Sequence, residues 1–127
     1  MSALILDAGA LIAVDRDDRS VVAQLRIASR HGLELRTNAM VVSQVWRDAR
    51  GRQAKLAQLL QAVDVRPIDQ VVGRHAGELV GKSGSSDTID ATVILLANHG
   101  DRILTSDPSD LRYLAATAGT QAIIIDC

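Results

Sequence analysis

Short apolar runs that stop abruptly, each followed by a helical pattern, constrain this chain more than any other feature. Ala3-Leu4-Ile5-Leu6 contains no polar residue and ends at Asp7-Ala8-Gly9. A run so short and continuous suits a strand buried on both faces, as in a parallel sheet. Arg102 to Thr105, followed by Ser106-Asp107-Pro108, reads as another strand, and the β-branched run Ala122 to Ile125 as a last one. Leu33-Glu34-Leu35-Arg36 alternates apolar and polar residues and reads as the second strand. Residues 63–68 form a strand or extended segment, with Pro67 marking an edge or an end.

Helical patterns fill the intervals. Ala10 to Val14 makes a helical turn or two, closed by the charged loop Asp15 to Arg19. Ser20 caps a helix through about Ser29 with Val21, Leu25 and Ala28 on one face, and His31-Gly32 stops it. Thr37 and Asn38 supply the cap for a helix through about Arg50 that carries Val41, Val45 and Trp46, and Gly51 breaks it. Gln53 to Ala62 is amphipathic through Leu56, Leu59 and Leu60. Asp69 caps a helix over Gln70 to Val80, stopped by Gly81. Ser86 or Asp87 caps a helix through about Asn98, ended by His99-Gly100, and Ser109 to Ala118 is helical before Gly119.

Strands alternating with helices predict a mainly parallel central sheet with helices on both faces. Neither a repeat nor a linker interrupts it, so residues 1–127 read as one α/β domain. Composition narrows what such a domain does. Hydrophobic residues make up 47% and charged residues 23%, which excludes wholesale disorder. The formal charge is −1, so contact with a polyanion must come from a local patch. Trp46 and Tyr113 are the whole aromatic complement, against base-stacking platforms. One cysteine, Cys127, and three scattered histidines exclude an internal disulfide, a thiolate zinc cage and an H-E-x-x-H pair. With no apolar run of roughly 18 residues and no basic-then-apolar start, a soluble, cytoplasmic protein with no membrane partner is expected.

In open parallel sheets, chemistry gathers at the carboxyl ends of strands. Asp7 follows the first predicted strand directly, and Asp107 lies two residues beyond Thr105. Asp87 and Asp90 open the helix leading into that later strand, at a spacing that puts both near one end. Each has a local role available: Asp7 and Asp87 as helix caps, Asp107 as a turn residue before Pro108. Asp90 is harder to assign a local role, because it lies inside an apolar helix with no basic residue four positions away. Two carboxylates about 4 Å apart repel by roughly 4 kcal/mol at an effective dielectric near 20. Protonation or a hard cation relieves that repulsion, and Mg²⁺ or Mn²⁺ held through carboxylates and water suits phosphodiester chemistry.

Leu4-Ile5-Leu6-Asp7-Ala8-Gly9-Ala10-Leu11-Ile12-Ala13 resembles the opening of PIN domains. Ile89-Asp90-Ala91 with Ala97, then Ile103-Leu104-Thr105-Ser106-Asp107, resemble the family's later motifs in the right order. The resemblance covers nearly the whole chain, and the length is that of VapC-type toxins. It implies a PIN-like three-layer sandwich and a Mg²⁺- or Mn²⁺-dependent endoribonuclease of a toxin–antitoxin pair. Asp7, Asp90 and Asp107 match the family's acidic, metal-binding positions, with Asp87 a further acid, while Thr105 and Ser106 match the polar pair before the last aspartate and are expected to contact substrate. An RNA substrate, a VapB-like antitoxin whose C-terminal segment blocks the groove, and a homodimer are implied with it.

One position departs from the family. The glutamate usual in the helix after the second strand is replaced by Gln44, whose amide offers a carbonyl oxygen without charge. Asp48, one helical turn on, is either a partial substitute or a solvated surface acid. Arg47, Arg50, Arg52 and Lys55 cluster after it and read either as phosphate contacts or as a solvated helix face. Gln44 also motivates the alternative of a PIN fold that binds RNA or a partner protein with weak or lost nuclease activity. A receiver-like phosphoacceptor is a third reading, but the expected aspartate after the third strand has no counterpart.

Overall fold

The computed structural model describes residues 2–47 and 49–127. Five strands form one sheet: β1 Ala3–Leu6, β2 Glu34–Asn38, β3 Asp64–Arg66, β4 Arg102–Thr105 and β5 Ile123–Asp126. Their spatial order is β3-β2-β1-β4-β5, and every pairing is parallel. The sheet is thus wholly parallel where a mainly parallel one was expected.

All four residues of β1 are buried, as the uninterrupted apolar run required. Between β1 and β2 lie α1 Ala8–Asp15 and α2 Arg19–Arg30, and between β2 and β3 lie α3 Ala39–Val45 and α4 Ala54–Gln61. The chain then crosses back through α5 Gln70–Ser83 and α6 Thr88–Leu96 to β4, and α7 Pro108–Ala118 leads to β5. Because the strand order runs one way from β1 to β3 and the other way from β4 to β5, right-handed crossovers place the two helix sets on opposite faces. The packing agrees: α1 contacts α2, α3 and α4, whereas α5, α6 and α7 contact one another. Leu6, Leu11, Val41, Ile94, Ile103, Leu104 and Leu111 join one buried apolar cluster across these layers.

Several boundaries differ from the sequence pattern for identifiable reasons. The helix expected to run to Arg50 stops at Val45. Gln53, also buried, takes over the helix end: its side chain donates to Val45 O at 3.0 Å and accepts from Arg47 N at 2.7 Å. Arg50, in the short 3-10 turn Ala49–Gly51, adopts φ 60°. Gly81 does not end α5, because a helical glycine costs only about 1 kcal/mol; the left-handed cap is Gly84, with φ 75°. The cap of α2 is Asp18 rather than Ser20, and Asp87 rather than Ser86 caps α6. Helix α6 ends at Leu96, and buried Asp101 ties the following turn to β1 by accepting from Asn98 N at 2.8 Å and Ala3 N at 2.9 Å. β3 lies at the sheet edge with Pro67 just after it.

Candidate functional site

The order β3-β2-β1-β4-β5 puts the topological switch between β1 and β4, where open α/β sheets leave a crevice at the carboxyl ends of their strands. Asp7 emerges from β1 at that point and is 5% exposed. Its backbone N–H still donates to Leu104 O at 3.1 Å, holding it against β4. One carboxylate oxygen caps α1 by accepting from Ala8 N at 2.8 Å, and the other accepts from Thr105 Oγ1 at 2.8 Å. Thr105 Oγ1 in turn accepts from Asp107 N at 2.9 Å. A single fully buried hydroxyl therefore joins the two aspartates that follow neighbouring strands.

Thr105 was expected to meet substrate. Its hydroxyl is instead engaged within the protein, whereas Ser106 is exposed and packs its side chain against Gly9. Close approach at this point also accounts for Gly9. A Cβ on Gly9 would lie 2.9 Å from Ser106 N and collide with the Ser106 side chain. Gly9→Ala is therefore expected to push the 106–107 turn away from α1, costing about 1–3 kcal/mol of stability and lowering metal affinity. Denaturant melts and Mn²⁺ titration of the variant check both effects.

Helix α6 brings the second pair of acids. Asp87 caps it, accepting from Ile89 N at 3.0 Å and Asp90 N at 2.9 Å through one oxygen. Asp90 sits in the first helical turn, largely buried. Burial, then the charges of Asp87, Asp7, Asp107 and Asp110, push its carboxyl up to about 7. Asp107 is also raised, by burial first and then by its hydrogen bond and charge contact with Asp110. Carboxylate oxygens of Asp90, Asp107 and Asp110 lie within 4.8 Å of one another. Asp110, in the first turn of α7, had escaped notice in the sequence. Its signal was the i, i+3 spacing from Asp107 across Pro108, which puts two acids on one side of a helix start.

Asp7, Asp87, Asp90, Asp107 and Asp110 thus share one electrostatic neighbourhood. Among the described residues none of the five is ion-paired; the ion pairs involve Arg36, Lys55 and Arg66 elsewhere. The donor set is all carboxylate oxygen, without histidine or thiolate, which suits a hard cation such as Mg²⁺ or Mn²⁺ and not a typical zinc site. A cavity of about 390 Å³ lined by Val14, Leu25, Leu35 and Leu59 belongs to the α1, α2 and α4 layer, and none of the five acids lines it.

The remaining expected residues lie on or after α3. Gln44 is exposed on α3, which packs against both α1 and α6. Arg47 is exposed and turns its guanidinium onto its own helix end, donating to Ser43 O at 3.1 Å and Trp46 O at 2.7 Å. Arg50 is exposed at the positive-φ turn. Asp48 lies outside the described residues.

A wholly parallel sheet in this order, with acids converging at its switch point, is a PIN-like fold. Solved structures that share it include a chain of VapBC2 from Rickettsia felis bound to a DNA fragment from its promoter, at 13% identity and TM-score 0.72, covering 98% of this chain and 99% of that one. A chain of DNA-bound VapBC from Salmonella typhimurium matches at 10% identity and TM-score 0.67, covering 98% of each chain. Neither a family model nor a curated protein matches the sequence. The resemblance read from the motifs is therefore matched at the level of the fold over nearly the full length.

Proposed function

We propose that this protein is a VapC-like toxin: a Mg²⁺-dependent endoribonuclease that hydrolyses RNA phosphodiester bonds at the acidic rim. The observation that carries the reading is the meeting of Asp90, Asp107 and Asp110 within 4.8 Å at the strand ends where Asp7 also lies. Asp7, Asp90 and Asp107, with Asp110 beside them, would hold the cation. When bound, Mg²⁺ offsets carboxylate and phosphodiester charge and makes water a stronger nucleophile near neutral pH. The chain's own residues orient that arrangement. Thr105 and Ala8 N fix both oxygens of Asp7, Asp87 fixes the first turn beneath Asp90, and Ser106, exposed and seated against Gly9, precedes Asp107 in its turn. Arg47 and Arg50, both exposed, would meet the phosphate backbone of incoming RNA.

The neighbours are VapBC assemblies, which supports a VapB-like antitoxin as partner. A homodimer, and a cytoplasmic location for the pair, belong to the same reading. No helix among the described residues is long and apolar enough to cross a membrane. The direct test is cleavage of single-stranded and hairpin RNA by the purified chain in Mg²⁺ and in chelator. Cleavage that needs the cation and disappears in Asp7→Asn supports the assignment; undiminished cleavage by both Asp7→Asn and Asp90→Asn removes it.

Gln44 favours a second reading, in which the same fold binds RNA or a partner with little hydrolysis. Its amide stands where the family carries an acid. Gln44→Glu is expected to raise Mg²⁺ affinity and cleavage rate. A large rise from an undetectable baseline favours the binding reading, whereas ready cleavage by the unaltered chain eliminates it.

A further inference from the structure

Two buried polar residues at the end of β2 reach, one directly and one through Thr92, the backbone carbonyls immediately ahead of Asp7 and Asp90. Thr37 and Asn38 are both fully buried. Thr37 Oγ1 donates to Leu6 O at 2.7 Å, the carbonyl directly before Asp7. Asn38 accepts from Val41 N at 3.0 Å, capping α3, so its Nδ2 faces the other way and donates to Thr92 Oγ1 at 3.0 Å. Thr92 Oγ1 passes the chain on to Ile89 O at 2.6 Å, the carbonyl directly before Asp90. Every donor and acceptor in this relay is determined: the Asn38 oxygen is committed to an N–H and the Thr92 proton to a carbonyl.

We infer that Asn38 and Thr92 are positioning residues for the acidic site, holding the first turn of α6 at the height and rotation that bring Asp90 to Asp107 and Asp110. The inference rests on the metal-binding reading of those acids. Helix α6 needs such a device because it is apolar nearly all round, with Ala91, Val93 and Ile94 fully buried. Apolar burial is non-directional, so it fixes neither the rotation nor the height of such a helix. A satisfied buried polar pair does, because its hydrogen bonds exist in one register only. Thr37 does the same for the end of β1, so the Thr37-Asn38 dipeptide references Asp7 and Asp90 to one point of the sheet.

Thr92→Val tests this, since it removes the hydroxyl, nearly preserves the shape and leaves the α3 cap in place. Mn²⁺ affinity of the full chain, measured by calorimetry on metal-free protein, is expected to fall about tenfold, the scale for losing a residue that orients a ligand. Thr92→Ser restores it. Val21→Ala, in the core of α2, lowers the melting temperature without changing Mn²⁺ affinity and separates positioning from general loosening. Wild-type affinity in Thr92→Val, or an equal loss in Val21→Ala, overturns the positioning role while leaving the metal reading intact. Absence of Mn²⁺ binding by the wild type, or unchanged binding in Asp90→Asn, overturns the metal reading and this role with it.

Discussion

Asp90→Asn is expected to lower Mg²⁺-dependent RNA cleavage by about a hundredfold to a thousandfold, the range for losing one preorganised electrostatic group, while making the metal-free protein more stable at pH 8. The two effects have one cause. Asp90 is largely buried and repelled by Asp87, Asp7, Asp107 and Asp110, so its charged form is held at a cost that only a cation offsets. The amide keeps the shape and removes the charge. A variant that merely unfolded would lose activity and stability together; this one moves them in opposite directions. Single-turnover cleavage and thermal melts of the same preparation check the pair of outcomes, and a drop in melting temperature in chelator at pH 8 would contradict it.

The stability of the metal-free protein is expected to fall as pH rises from about 4 to about 7. Asp90 titrates at 3.8 when unperturbed and at about 7 in the fold. Between those values the native state holds a proton that the unfolded chain has released, so stability decreases with pH across that window and levels off above it. Asp107, raised by burial and by its hydrogen bond to Asp110, acts in the same direction. After allowance for screening by water at the open cleft, the fall is worth about 1–2 kcal/mol, several degrees in melting temperature. Saturating Mg²⁺ reverses it, because the cation binds the ionised form and its stabilisation grows as protons leave. Asp64, held low by its hydrogen bond to Arg66, titrates below this window and leaves the slope unaltered. Melts from pH 4 to 8 with chelator and with Mg²⁺ measure the difference, and a flat chelator profile would refute the assignment.

Much of this was legible along the chain. The apolar run Ala3–Leu6 and the short run before Asp107 were readable as strands, because continuous burial leaves little room for polar residues; that they are neighbours came from the sheet order. Caps such as Asp69 and stops such as Gly119 were readable because they act within a few residues of themselves. The departures arose where a distant side chain intervened. Gln53 closes α3 early from eight residues away, and Asp101 takes the Asn98 N–H just after α6 while also holding Ala3 at the far end of the sequence. Asp110 went unnoticed because a helix-start acid has a local explanation, and only the packing of α7 on α6 gives it a neighbour in Asp90. Thr105 looked like a surface contact because its motif says which residue is there and not which way it faces.

The sequence alone determined the element types, their order, and that Asp7 and Asp107 would leave strand ends, since periodicity and turn chemistry are local properties of the backbone. The tertiary structure decided which acids meet, that a buried hydroxyl links two of them, and that Asn38 reaches Thr92 across 54 positions. Those outcomes depend on the rotation and height of packed helices, which apolar burial leaves free and directional hydrogen bonds between remote residues settle.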